Sequence, residues 1–290
     1  PLLFAVLGET LAELSGVLNL GLEGIMLCSA MAGVAAAAAS GSALAGLAAG
    51  VAVGALFGLL HSFLTVTLRA DQVVAGLALV FLGTGLSAVG GAPLVELQGM
   101  VPHFSRLAVP WLSDLPLVGP VLFNQVWLVY LGLALVPLMR WWLRRTRAGL
   151  ELRAIGEDPV AAAAVGIRVV ALRYRYVVIG GALSGLAGAT LSLAITPGWV
   201  DGLTAGQGWM AIGLVIVGGW RPLPAAAGAF FFGTIHRLTL DLQGLGLPIF
   251  QNPNTGFFLS ALPYLAAIAV LVLSSARQSV LAPGALGKPL

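Results

Sequence analysis

Residues 43–66 read ALAGLAAGVAVGALFGLLHSFLTV, a run of 24 residues without Asp, Glu, Lys or Arg. A helix of about 20 apolar residues crosses the roughly 30 Å hydrocarbon core of a bilayer. The whole chain has this character, since 59% of its 290 residues are hydrophobic, 9% are charged and the mean hydropathy is +1.01. A soluble domain carries about 25% charged residues. The sequence therefore predicts an all-α fold, a polytopic transmembrane helical bundle.

Apolar runs separated by polar or Gly/Pro breaks predict about eight spans. The first occupies residues 2–40, is interrupted at 15–23 and is counted as one crossing with a discontinuous helix. The other predicted spans are 43–66, 73–91, 122–139, 176–196, 207–219, 223–240 and 256–274.

Two pseudo-repeated halves are predicted within a single transmembrane domain, 1–290. Glycine-punctuated breaks occur at 15–24, in a first half covering 1–139, and at 202–208, in a second half covering 176–290. Interrupted segments at matching places in two halves point to the substrate path of a transporter.

The loop between the halves, 140–175, sets the predicted orientation. It holds eight arginines against three carboxylates, a net charge of +5. Cytoplasmic loops carry an excess of Lys and Arg, so this loop is predicted to face the cytoplasm. Alternation of the spans then places the proline-rich segment 92–121 outside and the C-terminus inside. The pI near 9.5 therefore reflects topology, and no nucleic-acid partner is expected because no basic patch is interleaved with aromatic residues.

A short helix is predicted inside this loop, starting after Asp158. The Asp158 side chain can cap the first amides, and Pro159 suits the first helical position, where a missing N–H costs nothing. Four alanines lie in the following stretch, and Gly166 permits a left-handed exit. Two turns are too few for a helix to be stable alone, so we interpret it as a docking element for a partner. An ordinary interfacial helix is the alternative.

Three separated motifs carry a resemblance to a known family. They are GVLNLGLEGIML at 16–27, AIGEDPVAAAAVGI at 154–167 and TAGQGWMAIGLVIVGGWRPL at 204–223. In this order, and over most of the chain, they resemble the ribose/branched-chain amino acid-type permeases of bacterial ABC importers, especially the nucleoside and simple-sugar branch. By comparison with that branch, we expect further residues before Pro1.

The resemblance implies the permease subunit of an ATP-driven importer in the bacterial plasma (inner) membrane, moving a nucleoside or simple-sugar-like solute into the cell. The implied partners are two cytoplasmic ABC ATPase subunits or domains, a second permease subunit of the same or different sequence, an extracytoplasmic solute-binding protein and membrane lipid. The short helix falls where the family has its coupling helix. The residues expected to couple it to the ATPase are Gly156, Glu157, Asp158, Pro159, Ala162 and Gly166.

No catalytic residue, metal ligand or cofactor is predicted in this chain. It has no Gly-x-x-x-x-Gly-Lys-Ser/Thr phosphate loop, so ATP hydrolysis is assigned to partner subunits. The single cysteine, Cys28, excludes an internal disulfide and any cysteine-based metal site. An intramembrane protease needs a serine and a histidine within hydrogen-bond reach, and the candidates Ser184 and His236 lie on different predicted spans.

The candidates for the substrate path at the two breaks are Asn19, Glu23, Gln207 and Trp209. Unwound backbone and half-helix ends can face a solute at such breaks, and a hydroxyl-rich solute needs donors and acceptors there. Asn19 and Glu23 could equally satisfy freed backbone amides, and Trp209 could be an interfacial anchor. The alternative functions are a secondary transporter, with Glu23 as its coupling carboxylate, and a passive channel, which would not need a docking helix.

Overall fold

The computed structural model describes residues 1–108, 123–244 and 282–288, together with the single positions 261, 265, 269 and 272. Regular structure in this part of the chain is helical except for one pair of two-residue strands. The all-α prediction is confirmed.

The helices follow the apolar runs of the sequence, with polar or glycine-containing turns between them. They are α1 (Leu2–Leu14), α2 (Leu22–Ser40), α3 (Ala43–Ser62), α4 (Gln72–Gly91), α5 (Trp127–Arg145), α6 (Arg147–Glu157), α7 (Pro159–Ala164), α8 (Val169–Thr190), α9 (Gln207–Val217) and α10 (Pro222–Gly244). π-Helical turns, Phe63–Thr67 and Leu191–Ile195, extend α3 and α8, and a 3-10 helix, Ala92–Leu97, follows α4. Strand β1 (Leu107–Ala108) pairs antiparallel with β2 (Asn124–Gln125).

Four helical segments of the described chain are long and apolar enough to cross a membrane. They are Leu22–Ser40, Ala43–Thr67, Gln72–Leu97 and Val169–Ile195, while α9 is apolar but shorter. Three of them overlap the predicted spans 43–66, 73–91 and 176–196, and Leu22–Ser40 is the second part of the predicted first span. The chain is therefore a multi-pass membrane protein. The predicted span 256–274 lies outside the described residues apart from four helical positions. The predicted outer segment 92–121 is described only as far as residue 108.

The centre of the bundle is the contact between α3 and α8, where glycines of the two helices face each other. A Cβ atom placed on Gly54 would lie 2.3 Å from the carbonyl oxygen of Gly181, and one on Gly185 would lie 2.4 Å from that of Gly50. Small residues let transmembrane helices pack backbone against backbone, which maximises van der Waals contact. The glycines of α3 and α8 therefore allow the backbones of these two helices to pack in direct contact.

Helix α1 runs antiparallel to α8. A Cβ atom on Gly8 would lie 2.5 Å from the carbonyl oxygen of Gly180. Further along the chain, just beyond α1, Gly16 lies against the side chain of Arg173. As the residue numbers rise in α1, those of the contacting residues in α8 fall.

Helix α2 runs parallel to α8, so the chain reverses between α1 and α2. A Cβ atom on Gly188 would lie 2.2 Å from the carbonyl oxygen of Met26, and Ser192 Oγ donates a 2.9 Å hydrogen bond to the carbonyl oxygen of Ala30. The prediction that residues 2–40 form one interrupted crossing is wrong, because the interruption is a reversing turn.

Several turns collect at one end of the bundle, which we call the α7 end. Gly156, at the end of α6, packs on the carbonyl oxygen of Leu14, at the end of α1. Gln72, at the start of α4, donates a 3.2 Å hydrogen bond from Nε2 to the carbonyl oxygen of Lys288 in the C-terminal segment. The arginine-rich loop, the 68–71 turn and the C-terminal segment therefore share one end, as the alternation of predicted spans requires.

Candidate functional site: a capped helix and two tied breaks

Helix α6 connects the bundle to the predicted docking helix. Thr146 caps it, because Thr146 Oγ1 accepts a 3.1 Å hydrogen bond from the amide of Gly149. Leu152 and Ile155 are fully buried among apolar side chains of α1, α5 and α8. Gly156 comes so close to α1 that a Cβ atom would lie 2.1 Å from the carbonyl oxygen of Leu14. We call α6 and α7 together the arm, and its base is fixed to the bundle.

Helix α7 has the local structure predicted from the sequence. Asp158 Oδ1 accepts hydrogen bonds of 2.9 Å from the amides of Val160 and Ala161, so the carboxylate caps the helix. Pro159 occupies the first helical position. Ala162 is buried against the bundle, and Gly166 leaves the helix with a positive φ of 84°. The helix and its limits are confirmed, whereas its contact with an ATPase stays a prediction.

The outer side of α7 is apolar and exposed. Val160 and Val165 have exposed fractions of 78% and 77%, and the alanines at 161, 163 and 164 are exposed as well. No described residue covers this side. A capped helix that presents aliphatic side chains beyond the bundle has the form of a docking surface.

The C-terminal segment binds the arm from the side. The amide of Ala285 donates a 2.8 Å hydrogen bond to the carbonyl oxygen of Gly156, and the amide of Gly284 donates one of 3.3 Å to Glu157 Oε2. Ala285 is buried. Glu157, predicted to face an ATPase, therefore uses one carboxylate oxygen within the chain.

The reversing turn after α1 is held by side chains from several helices. Gln72 Oε1 accepts a 2.7 Å hydrogen bond from the amide of Leu18, and His61 Nε2 lies 2.9 Å from the carbonyl oxygen of Leu18. Glu9 Oε1 accepts one of 3.1 Å from the amide of Asn19. Asn19 Oδ1 in turn accepts a 3.0 Å hydrogen bond from the amide of Gly21. Backbone groups freed at this break are thus satisfied internally, as a membrane interior requires.

Hydrogen bonds to Glu23 connect the first break to the second. Its Oε1 accepts hydrogen bonds from Thr204 Oγ1 and from the amide of Gly206 at 2.9 Å, and its Oε2 accepts one of 2.7 Å from the amide of Gly208. These amides lie at the start of α9, where unsatisfied N–H groups and the helix dipole favour a negative charge. The carboxylate of one half therefore caps a helix of the other.

A second tie lies on the α7 side of the first. Trp220 Nε1, in the turn between α9 and α10, donates a hydrogen bond to Glu13 Oε2. Glu13 is buried on α1. Glu13 and Glu23 therefore join the first two helices to the α9 region at two points.

The structure places Glu23 beside Gln207, and it buries Asn19 and Glu23 more deeply than Gln207 and Trp209. Asn19 and Glu23 have exposed fractions of 1% and 8%, and their oxygens bind backbone or hydroxyl groups of the chain. This geometry supports the structural role for both. Gln207 is half-buried beside Glu23, and Trp209 has an exposed fraction of 41%. Of the four, only these last two have side chains that the chain leaves partly or largely exposed.

Gln72 and Thr204 are among the contributors that were missed at the sequence level. Gln72 follows a helix-capping Asp71, whose Oδ1 accepts a 2.9 Å hydrogen bond from the amide of Val74, so it reads as an ordinary first-turn residue. Thr204 is one of many small polar residues in a glycine-rich stretch. Their partners lie 54 and 181 residues away, and no local pattern signals them.

Comparison with known families decides what kind of protein carries this arrangement. The model of the family described as "Branched-chain amino acid transport system / permease component" matches residues 1–273. The chain belongs to this permease family. The predicted family resemblance is confirmed, and this permease is the membrane subunit of an ABC importer, a class that works with ATPase and solute-binding partners.

Relatives with descriptive names are similar along nearly their whole length. The permease is 39% identical over 287 residues to the putative glucose ABC transporter permease protein TsgC13 of Haloferax volcanii, covering 93% of this chain and 87% of the relative. It is 33% identical to the guanosine ABC transporter permease protein NupQ of Bacillus subtilis, covering 100% and 92%. It is 35% identical to the nucleoside ABC transporter permease protein NupC of Lactococcus lactis, covering 94% and 88%. No solved structure matches the chain.

Proposed function

We propose that this permease carries a nucleoside or simple-sugar-like solute into the cell, driven by ATP that partner subunits hydrolyse. The observation that carries the proposal is α7, a capped helix with an exposed apolar side at the end of an arm anchored on α1. A helix of six residues gains little stability from its own hydrogen bonds. An ATPase groove that receives Val160 and Val165 would bury the apolar surface that the chain leaves open.

The rest of the proposed assembly is the one that membership of the permease family implies. Two ATPase subunits bind two arms, one from this chain and one from a second permease subunit of the same or different sequence. A solute-binding protein delivers the solute at the opposite end of the bundle. The net charge of the 140–175 loop supports a cytoplasmic α7 end in the plasma membrane, and the C-terminal segment, which contacts the arm, lies on the same side. Residues 1–139 and 176–290 form the two halves of one domain around this loop.

The solute path lies beside the second break. Gln207 offers an amide donor and acceptor, and Trp209 offers an aromatic face to a base or sugar ring. Asn19 and Glu23 frame this path by holding the backbone around it. Support for the solute class comes from the likeness to permeases named for glucose, guanosine and nucleosides.

Replacing Asp158 and Pro159 together by alanine tests the docking role. The double variant loses the cap of α7, an interaction of about 0.5–2 kcal/mol, and the fixed proline at the first helical position. In proteoliposomes containing the whole transporter, we expect solute-stimulated ATP hydrolysis and uptake to be abolished while the chain still inserts in the membrane.

Asp158→Asn is the matched control, because asparagine also caps helices and it should retain most of the coupling. Normal coupled hydrolysis in the double variant would refute the docking role of α7.

A separate pair of variants tests the path. Trp209→Ala removes the aromatic face and should lower uptake of the transported solute, whereas Trp209→Phe should retain most of it. ATP hydrolysis without solute should be unaffected in both. Equal uptake by the alanine variant and the unaltered protein would remove Trp209 from the path.

A further inference from the structure

Helix α5 has two different sides near the α7 end. One side packs into the bundle through Leu128, Gly132, Val136, Met139 and Leu143. The other side is exposed and changes in character along the helix. Leu133 and Leu138 come first, Trp141 follows with an exposed fraction of 57%, and Arg144 and Arg145 end the helix.

This order matches the cross-section of one membrane leaflet. From Leu138 to Arg144 the helix rises about 9 Å, at about 1.5 Å per residue. The hydrocarbon core is roughly 30 Å thick and the whole bilayer about 40–45 Å, so each headgroup layer is about 5–8 Å deep. When Leu138 lies at acyl-chain depth, Trp141 lies at the interface, where tryptophan is enriched, and the arginines reach the phosphates.

Within the described part of the chain, the arginines at this end of α5 have no acidic partner. Among the residues that the structure describes, the single ion pair joins Arg147 to Glu151, at 2.9 Å, and it belongs to α6. Arg144 and Arg145 are exposed and Arg140, one turn earlier, is half-buried. Three positive charges therefore surround Trp141 without a counter-charge from the described chain.

We propose that an anionic phospholipid of the leaflet at the α7 end binds this surface. Its phosphate contacts Arg144 and Arg145, its glycerol region lies against Trp141, and its acyl chains follow Leu138. Guanidinium groups suit phosphate oxygens because they donate several hydrogen bonds in one plane. The charge bias of cytoplasmic loops accounts for arginines in this loop but not for their placement one turn after an exposed tryptophan on a single side of α5.

The site would steady the base of the arm. Thr146, directly after Arg145, donates a 2.7 Å hydrogen bond to the carbonyl oxygen of Trp142 and caps α6. A lipid held on α5 therefore fixes the membrane depth at which the arm begins. This inference depends on membrane embedding and not on the identity of the solute.

The test is lipid retention by the purified transporter in nanodiscs that contain phosphatidylglycerol and phosphatidylcholine. Native mass spectrometry counts the lipids that remain after detergent exchange. Arg144→Gln with Arg145→Gln should weaken phosphatidylglycerol retention about fivefold for each arginine removed, since a basic residue near the surface contributes about that factor. The control, Arg168→Gln with Arg175→Gln, removes two exposed arginines from the same end of the bundle and should retain the lipid.

Conservative variants sharpen the comparison. Arg144→Lys with Arg145→Lys keeps the charge and should retain most of the phosphatidylglycerol, and phosphatidylcholine retention should be low in every variant. Unchanged phosphatidylglycerol retention in the glutamine variant would overturn the proposal, as would an equal loss in the control. Loss of the ATPase subunit with lipid retained would also overturn it and would assign the surface to a protein partner.

Discussion

Glu23 shows how one side chain can join the two breaks in the bundle. Its two carboxylate oxygens accept three hydrogen bonds from residues 204, 206 and 208, more than 180 positions along the chain. Two of the donors, the amides of Gly206 and Gly208, are freed by a glycine-rich break, and the third is the hydroxyl of Thr204. A donor that is buried beside Glu23 would cost free energy if it were left unpaired.

Glu23→Ala should therefore destabilise the permease by about 1–3 kcal/mol, the cost of leaving buried donors without acceptors. Glu23→Gln keeps one acceptor oxygen and should fall between the alanine variant and the unaltered protein. Thr204→Val, which removes one donor but leaves both amides bound, should be the mildest change. Thermal unfolding in detergent ranks the three variants, and a different ranking would argue against this network.

The cap of α7 and the role of Glu23 show which roles of single residues can be predicted from the sequence and which cannot. Asp158, Pro159 and Gly166 act on neighbours within a few residues, so the local sequence is enough to predict their roles. Glu23 acts on partners far along the chain, and its sequence context is equally compatible with solute binding. The distinction comes from the fold, which buries Asn19 and Glu23 and leaves Trp209 exposed.

At the level of helices, the α3–α8 contact depends on having no side chain at Gly54. Gly54→Ala places a Cβ atom 2.3 Å from the backbone of Gly181, so one helix must move away. We expect a lower unfolding temperature and less monodisperse protein on gel filtration. The matched control is Gly85→Ala in α4, because a Cβ atom there meets no atom within 4 Å.

An equally stable Gly54→Ala variant would contradict the close contact between α3 and α8. A destabilised Gly85→Ala variant would show that helical glycines matter in general, whatever their packing.

The direction of helices was the weak point of sequence reasoning. Apolar runs predicted where α2, α3, α4 and α8 lie, because length and hydropathy are local properties. The turn at 15–21 contains few polar residues and looks like a break within one span. Only the contacts of α1 and α2 with α8 show that the chain reverses there.

For the whole molecule, sidedness is the prediction to test. The native Cys28 is buried, so labelling of the native thiol should be low and introduced cysteines can be detected. Arg168→Cys and Ala282→Cys should react with a membrane-impermeant maleimide only from the cytoplasmic side, and Met100→Cys only from the outer side. Intact cells and inverted vesicles provide the two accessibilities. Labelling of residue 168 in intact cells would place the α7 end outside, beyond the reach of any cytoplasmic ATPase.

The hydrogen bond between Ala285 and Gly156 has a mechanical consequence. The arm continues along the chain into α8. It is also bound by this hydrogen bond to the C-terminal segment, and Gly156 packs against the end of α1. A displacement of α7 would consequently act on α8, on the C-terminal segment and on the end of α1 at once, besides the connection of the arm to α5. Since α1 belongs to the first half and α8 to the second, the two halves of the transporter would then move at the same time and not one after the other.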